Sequence, residues 1–260
     1  MSKLETMIQK VVQPKKRATR QVFVAGKCAV SPNMQRIILE GAGLADFPGG
    51  YEGGYVKLVL PSEGEKPAVR SYTVRLFDPV SRRLTIDMVV HRDLGPAASW
   101  VSQVAIGDSI EITGLGSCQP ISTDADWFLL AGDMSALPAI SVNIERLPPD
   151  AVGHVVLEVI SVEDQIELAT PHGIEVHWVV NPEPEAFNTV LEDTVMALSW
   201  RDGRVAVWVA GEFSASRALR QYFRNDRPVD KGSKYISCYW KIGETDEGMK
   251  AAKRADAEGW

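Results

Sequence analysis

Apolar residues in the first half of the chain occur in short alternating runs, separated by clusters of Pro, Gly and Asp. Such runs are typical of β-strands that bury one face. Together with one helical stretch, Pro96–Val104, they favour a small antiparallel barrel with a helical cap. The six predicted strands are Val22–Val30, Gln35–Leu39, Tyr55–Leu60, Val69–Phe77, Leu84–His91 and Ser109–Thr113.

The pattern changes after Thr123. Trp127–Ala131 is a continuous apolar run, as expected for a parallel strand that is buried on both faces. Further strands alternate with helical patterns, which predicts βαβ units and a parallel sheet. The later strands are predicted at 155–161, 175–180, 205–210 and 235–240, and the helices at 135–147, 187–200 and 214–223, the first capped by Ser135.

These patterns predict the fold class β + α/β, with four segments. A basic N-terminal arm (1–20) precedes a six-stranded antiparallel barrel (21–122). An α/β domain with a parallel sheet (123–243) follows. The charged, alanine-rich tail (244–260) is expected to form an exposed helix, with Thr245 or Asp246 as its cap.

Charge and composition exclude several classes of protein. A net charge of −6 is atypical of a nucleic-acid-binding protein. No apolar run approaches the roughly 20 residues of a membrane span, and the polar N-terminus does not resemble a secretory signal. Three cysteines far apart in the chain indicate neither a disulfide framework nor a zinc site. A cytoplasmic protein, by default a monomer, is expected.

Two histidines, His172 and His177, raise the question of a metal site. Their spacing of five places them on opposite faces of a strand, and no third ligand follows in the sequence. A metal site is therefore not predicted.

The stretch from Arg70 to Trp100 carries the strongest chemical signal. It combines R-S-Y-T on a strand, a second strand ending in His91, and the helix start G-P-A-A-S-W. An aromatic ring and a hydroxyl group suit a planar cofactor, whereas an arginine and free helical N–H groups suit a pyrophosphate. These features favour a flavin dinucleotide. Taken alone, Tyr72 would rather be an aromatic of the barrel core.

A second candidate site lies in the α/β half, where the first strand ends at Gly132, Asp133, Ser135 and Ala136. Open α/β sheets bind ligands at the carboxyl ends of their strands, so a nicotinamide nucleotide fits here. The alternative is an ordinary tight turn with a serine cap. Glu212 ends a later strand. On the residues alone, it could be an acid that interacts favourably with the dipole of the following helix.

Several motifs together resemble one family. R-x-Y-T, a strand ending in His, G-P-A-x-x-W, L-A-G-D-M-S-A-L-P-A-I at 130–140 and W-V-A-G-E…Y-I-S-C-Y-W-K-I-G at 208–243 occur in order. They are similar to the pattern of the siderophore-interacting proteins, a branch of the ferredoxin–NADP reductase superfamily that acts as cytoplasmic ferric-siderophore reductases. The resemblance covers about residues 22–243, and it implies that the barrel (21–122) is an FAD-binding domain and that residues 123–243 form an NAD(P)H-binding-like domain.

The resemblance implies roles for individual residues. Thr73 would lie near flavin N5, Tyr72 against the ring, and Glu212 near the nicotinamide, which makes these three the catalytic candidates. Lys57 and Lys241 would bind the substrate. The implied cofactor-binding residues are Arg70, Ser71, Tyr72, Thr73, Asp87, Val89, His91, Gly95, Pro96, Ala97, Ala98, Ser99, Gly132, Asp133, Ser135, Ala136 and Trp240.

The implied substrate is an anionic ferric siderophore, a catecholate or hydroxamate complex, which cations would attract without a protein–iron bond. Lys57 could instead be an exposed edge lysine. The family often has G-P-x-G-S where this chain has G-L-G-S at 114–117, so affinity would depend more on Lys57 and Lys241. Cys238 replaces a glycine common in the family and would place a thiol near the site.

The expected function is therefore reduction of chelated Fe(III) to Fe(II) by FAD, with electrons from NADPH or NADH. One alternative keeps the flavin but uses ferredoxin as the electron donor. Another is a non-enzymatic flavin- or siderophore-binding protein. Arg201 and Arg204 border a predicted strand, yet no clear basic pair for a 2′-phosphate can be placed.

Overall fold

The computed structural model of the protein describes residues 19–62, 67–90 and 95–258. Within them the chain forms a seven-stranded antiparallel sheet followed by a five-stranded parallel sheet, which confirms the predicted fold class. None of the helices in these ranges is long and apolar enough to cross a membrane. The predicted N-terminal arm lies outside the described residues, except for its last two residues, which belong to the first strand.

The antiparallel sheet closes on itself as a barrel. Its strand order is β4-β3-β7-β1-β2-β6-β5, and the edge strands β4 and β5 are consecutive in the chain, so the two edges lie close together. Inward residues such as Val56, Leu58 and Leu60 are fully buried. The elements are β1 Thr19–Ser31, β2 Met34–Glu40, β3 Tyr55–Leu60, β4 Ala68–Thr73, β5 Leu76–Asp78, β6 Arg83–Val89, α1 Pro96–Gln103 and β7 Ser109–Gly116.

The barrel has seven strands rather than the predicted six, because the expected strand 69–77 is interrupted. Val74 N donates to Gly54 O at 2.8 Å, whereas Arg75 N donates to Thr85 O at 2.9 Å. The chain thus changes partner between one edge of the sheet and the other. Closure of the barrel causes this break, and it leaves no local mark in the sequence.

The parallel sheet has the order β10-β9-β8-β11-β12. After β8 the chain adds strands on one side, and from β11 it adds them on the other, so the order reverses between β8 and β11. Ligands of open α/β sheets bind at the carboxyl ends of strands at such a reversal. The elements are β8 Trp127–Gly132, α2 Leu137–Glu145, β9 Val152–Val159, β10 Gly173–Val180, α3 Val190–Ala197, β11 Val205–Glu212, α4 Phe213–Asn225 and β12 Lys234–Trp240.

The tail forms the expected helix, α5 Asp246–Glu258. Thr245 Oγ1 accepts a hydrogen bond from Gly248 N at 3.2 Å, so Thr245 is a cap, as one of the two alternatives predicted. One side of this helix contacts the α/β domain. Asp256 forms ion pairs with Arg217 and Arg220 of α4, which dock α5 onto the α/β domain.

One buried carboxylate ties the two sheets together. Asp164, in a short turn after β9, has no exposed surface. It accepts hydrogen bonds from Ser31 Oγ (2.7 Å), Asn33 N (2.9 Å) and Asn33 Nδ2 (2.7 Å) of the barrel, and from N and Oγ of Ser161. Burial acts to raise the pKa of Asp164, but these hydrogen bonds outweigh it and lower the pKa. We call these four residues the Asp164 network.

Candidate functional site

A crevice lies between the barrel and the carboxyl ends of the parallel strands. Val89, at the end of β6, lines it together with Asp133, Ser135, Glu158 and Trp240 of the α/β domain. Four of these five were predicted cofactor-binding residues, and they come from widely separated parts of the sequence. The structure therefore brings one residue of the predicted barrel half-site, Val89, beside residues of the predicted half-site in the α/β domain.

Asp133 organises this crevice. Its carboxylate accepts hydrogen bonds from Trp240 Nε1 (2.7 Å), Glu212 N (2.8 Å), Ser135 N (2.9 Å) and Ser135 Oγ. Burial raises the pKa of Asp133 despite these donors. Gly211, at φ 150°, makes room, because a Cβ atom there would lie 2.6 Å from Asp133 Oδ2.

The predicted role of Ser135 as a helix cap is wrong. The N-cap residue of α2 is Ala136, and it makes no side-chain capping bond. Ser135 lies one residue before this N-cap position, and its backbone N–H and its hydroxyl group both donate to the carboxylate of Asp133.

Glu212 contacts the start of the following helix, as its alternative role in stabilising the helix dipole predicts. Its carboxylate is the N-cap of α4 and accepts from the backbone N–H groups of Ser214 and Ala215. It also accepts from Ile242 N at 3.2 Å, which fixes the chain just after Trp240. A catalytic role for Glu212 stays a prediction.

Glu158, near the end of β9, was not predicted from the sequence. Burial raises the pKa of Glu158 to about 7, although Asn181 Nδ2 donates to it at 2.8 Å. An acid near the end of the second parallel strand is the signal that could have identified it, since such acids contact the ribose in dinucleotide-binding folds.

The register of β3 and β4 orients the residues of R-S-Y-T. Tyr72 pairs with Val56 and Arg70 pairs with Leu58, so these two side chains share the face of the barrel interior. Tyr72 borders the barrel core together with Ala97 and other residues of the α1 region. Ser71 and Thr73 take the opposite face of β4, and Thr73 is the last residue of the strand.

The start of α1 fits a pyrophosphate group. Gly95, its N-cap, has no side chain to bond the first N–H groups, and no acid lies in the first turn. A Cβ atom at Gly95 would meet no described atom within 4 Å. Helix N-termini with free N–H groups bind anions. His91, the predicted neighbour, lies outside the described residues.

Asp87 is engaged within the barrel. Its carboxylate binds Arg36 in a bidentate ion pair, with N···O distances of 2.7 and 2.8 Å, and the residue is 6% exposed. A contact between its backbone and a flavin stays a prediction.

Lys57 lines a groove of about 420 Å³ on the outer face of the barrel, beside Tyr55, Thr113 and Leu115. Its strand β3 lies between β4 and β7, so the interpretation of Lys57 as an edge lysine is wrong. The groove also contains Arg20, a second cation that the sequence analysis missed, and this arginine pairs with Asp46.

Lys241, the other substrate candidate, is not among the described residues that line this groove. Its Nζ atom lies 5.4 Å from the centre of the Phe213 ring and 3.7 Å from a carboxylate oxygen of Glu244.

Cys238 lies close to the site but inside the fold. It is 3% exposed, and burial raises the pKa of its thiol to about 11. Its Sγ atom lies 3.3 Å from Trp240 O.

Arg201 and Arg204 lie at the opposite, amino end of the parallel sheet. Arg201 pairs with Glu175, and Arg204 pairs with Asp124. They cannot bind a nucleotide in the crevice.

His177 has two potential metal ligands beside it that the sequence spacing did not indicate. His154 and Glu175 lie beside it, on the neighbouring and the same strand respectively. His172 is exposed and takes no part in this cluster. His154 was not predicted from the sequence, because it lies 23 residues before His177 and contacts it only from the neighbouring strand.

The architecture defines a class of protein. An antiparallel barrel precedes a five-stranded parallel sheet, and a crevice lies where the strand order reverses; this is the fold of the ferredoxin–NADP reductases. The ferredoxin–NADP⁺ reductase from Plasmodium falciparum superposes with a TM-score of 0.62 over 85% of this chain and 96% of that one, at 14% identity. At this identity the likeness concerns the fold alone.

Comparisons at higher identity define the family. The model for the siderophore-interacting FAD-binding domain matches residues 23–68 and 61–117, and that for the siderophore-interacting protein matches residues 125–243. Ferric vibriobactin reductase ViuB of Vibrio cholerae is 33% identical over 238 residues, 84% of this chain and 88% of that protein. The crystal structure of SipS from Aeromonas hydrophila gives a TM-score of 0.81 at 32% identity, covering 93% of this chain and 99% of that one. The chain therefore belongs to the siderophore-interacting protein family, as the resemblance implied.

Proposed function

We propose that the protein is a ferric-siderophore reductase that binds FAD, takes electrons from a pyridine nucleotide and reduces chelated Fe(III) to Fe(II). The observation that carries this proposal is the crevice that joins Val89 of the barrel to Asp133 and Trp240 of the parallel sheet. When bound there, FAD would supply the conversion of a two-electron donor into one-electron steps. The relative ferric vibriobactin reductase ViuB, of which this chain covers 88% at 33% identity, supports this activity.

Four features of the chain would hold FAD. Arg70 and the start of α1 bind the pyrophosphate, by charge-assisted hydrogen bonds and by free N–H groups. Tyr72 supplies a flat partner for the ring, and Thr73 a hydroxyl group at its edge. The side chains of Tyr72 and Thr73 lie on opposite faces of β4. A planar ring can therefore contact both only if it lies across the end of the strand, and Thr73 is the last residue of β4.

We further propose NADH as the preferred donor. Glu158 lines the crevice near the carboxyl end of β9, where an acid can accept a hydrogen bond from a ribose 2′-hydroxyl. An ionised carboxylate there would repel a 2′-phosphate, and Arg201 and Arg204 lie too far away to offset it. Trp240 donates a hydrogen bond to Asp133, and we propose that this bond keeps its indole ring beside the bound cofactor.

The groove around Lys57 and Arg20 is the proposed site of the ferric chelate. Its cations attract an anionic complex and need form no bond to iron. Fe(II) binds hard oxygen ligands more weakly than Fe(III), so reduction favours release of the metal.

Anaerobic stopped-flow absorbance tests this function. The FAD-loaded protein is mixed first with NADH or NADPH, and then with a ferric tris-catecholate. We expect the flavin absorbance to bleach faster with NADH and to return with the chelate. Lys57→Ala should slow only the return, whereas Lys231→Ala, a matched change at an exposed lysine, should leave both phases unchanged.

Two outcomes would contradict the proposal. If neither nucleotide bleaches the flavin, the donor assignment is wrong, and bleaching by reduced ferredoxin would then identify the alternative donor. If the flavin bleaches but the chelate does not restore it, the protein is not a ferric reductase.

We also propose that residues 21–122 bind the flavin, that residues 123–243 bind the pyridine nucleotide, and that the protein acts as a monomer in the cytoplasm. Sedimentation of the FAD-loaded protein tests the monomer, and fractionation of cells tests the location.

A further inference from the structure

A cluster of three side chains lies at the amino end of the parallel sheet, opposite the crevice. His154 is the third residue of β9, and Glu175 and His177 are the third and fifth residues of β10. β9 and β10 are parallel neighbours in which Glu175 is in register with His154. Because side chains two residues apart share a face, all three project from the same side of the sheet.

The three potential ligand atoms are already close together. His154 Nδ1 lies 3.1 Å from His177 Nε2 and 3.6 Å from Glu175 Oε2, and all three atoms lie within 4.8 Å of one another. In a tetrahedral zinc site, bonds of about 2.0–2.2 Å place neighbouring ligand atoms about 3.3–3.6 Å apart. Small side-chain rotations would complete that geometry.

The surroundings resemble those of a supported metal site. The His154 side chain is 7% exposed and is packed edge-on against Trp127, whereas the Glu175 side chain is 58% exposed. One ligand is thus held in the core, and the open side leaves room for water. Arg201 Nη2 donates to Glu175 Oε1 at 2.9 Å, which leaves Oε2 facing the histidines. Hydrogen bonds of this kind orient metal-binding carboxylates.

The donor set selects the class of cation. Two imidazoles and one carboxylate suit borderline first-row cations, whereas Ca²⁺ and Mg²⁺ require oxygen ligands. We propose that His154, Glu175 and His177 bind one such divalent cation, with Zn²⁺ as the probe, and that water completes the coordination. The site is independent of the proposed flavin chemistry, since none of its residues lines the crevice.

The contact between Arg201 and His154 is where metal binding would change the structure. Arginine only donates, so His154 Nε2 accepts from Arg201 Nε, 3.4 Å away, and the ring proton resides on Nδ1 without metal. A cation on Nδ1 requires that proton on Nε2, so this long contact must open. Nitrogen NMR of the histidine rings would detect the exchange of tautomer.

Calorimetric titration of the tag-free protein with Zn²⁺ tests the site, and Co²⁺ absorbance reports its geometry. We expect one cation per chain with a tetrahedral Co²⁺ spectrum. His177→Ala and Glu175→Gln, both at accessible positions, should each weaken binding at least about tenfold. His172→Ala removes an exposed histidine from the same strand region and should leave the affinity unchanged.

The proposal is wrong if no stoichiometric binding occurs. It is also wrong if His172→Ala weakens binding as much as His177→Ala, since the cation would then bind surface histidines without a defined site. Circular dichroism of each variant identifies any loss of binding that arises from unfolding, and Glu175→Gln decides the outcome if a histidine variant unfolds.

Discussion

Replacement of Asp164 should loosen the contact between the two halves of the molecule. This fully buried carboxylate accepts hydrogen bonds from Ser31 and Asn33 of the barrel and from Ser161 of its own domain. Asp164→Ala removes all of these acceptors at once and leaves the donors facing a cavity. Asp164→Asn keeps the shape but places an amide NH₂ against other donors.

The strength of these hydrogen bonds determines how far the free energy of unfolding should fall. Each bond to an ionised acceptor contributes about 1.5–3 kcal/mol, and each buried donor left unpaired costs about 1–3 kcal/mol. Some donors will recover a water molecule, so we expect Asp164→Ala to lower the free energy of unfolding by about 3–5 kcal/mol. Asp164→Asn retains one acceptor oxygen and should cost about 1.5–3 kcal/mol.

The pH dependence provides an independent check. The folded-state pKa of Asp164 is lowered, so its contribution is complete above the unfolded pKa, about 3.9, and is lost as the pH falls through the folded value. The difference between wild type and Asp164→Ala should therefore be constant from about pH 6 to 8 and shrink below about pH 4.

Urea unfolding followed by circular dichroism measures both effects. Two fluorophores, one on each domain, would report separation of the halves at lower urea in the variants. Asp226→Ala, at an exposed carboxylate after α4, serves as the matched control substitution and should change little. A cost below about 1 kcal/mol for Asp164→Ala at pH 7, or an equal cost at pH 3, would refute the reasoning.

Three further predictions concern the crevice and the cofactor. Arg70→Ala should weaken FAD binding by about 10-fold to 100-fold, measured by flavin fluorescence, through loss of charge-assisted hydrogen bonds. Trp240→Phe removes the N–H donor to Asp133, and a double-mutant cycle with Asp133→Asn should give a coupling of about 1.5–3 kcal/mol. The pKa of Glu158 is raised to about 7, so between about pH 4.5 and 7 the folded state holds a proton that the unfolded state has lost. The free energy of unfolding should therefore fall as the pH rises through this range. Glu158→Gln should remove this fall, as measured by urea unfolding.

Each of these has a contrary result. If Arg70→Ala leaves the affinity for FAD unchanged, the pyrophosphate does not bind at Arg70. Additive effects of the Trp240 and Asp133 changes would mean that their hydrogen bond contributes nothing. A Glu158→Gln variant with the pH profile of wild type would show that this carboxyl group does not titrate near neutrality.

The fold could be predicted because its signals are local. The continuous apolar run Trp127–Ala131 identifies a strand buried on both faces, and all of its residues are buried. The break at Val74–Arg75 could not be predicted, because it follows from the meeting of two sheet edges. The same holds for Arg20, which joins the groove of Lys57 only when β1, β3 and β7 are paired.

Val89 and the turn at Asp133 were separate candidates in the sequence, but their meeting in one crevice could not be predicted. G-D-M-S after a buried strand indicates a turn that can bind a ligand, yet the partners of Asp133 lie far along the chain, at Glu212 and Trp240. Glu158 could not be predicted, because its raised pKa results from burial and no local sequence pattern encodes that burial. His154 and His177 meet only through the register of β9 and β10.

The hydrogen bond between Asp133 and Trp240 spans 107 residues, and this has a consequence for biosynthesis. The barrel strands are complete at Gly116, but β12 ends only at Trp240. At about 5–20 residues per second, the ribosome needs about 6–25 s to make the chain between them. During that interval the nascent barrel can fold while the opposite wall of the crevice does not yet exist. The crevice between Val89 and the Asp133–Trp240 pair is therefore complete only after the last strand has been synthesised, and a ribosome that stalls before it would leave a barrel with one wall of this crevice.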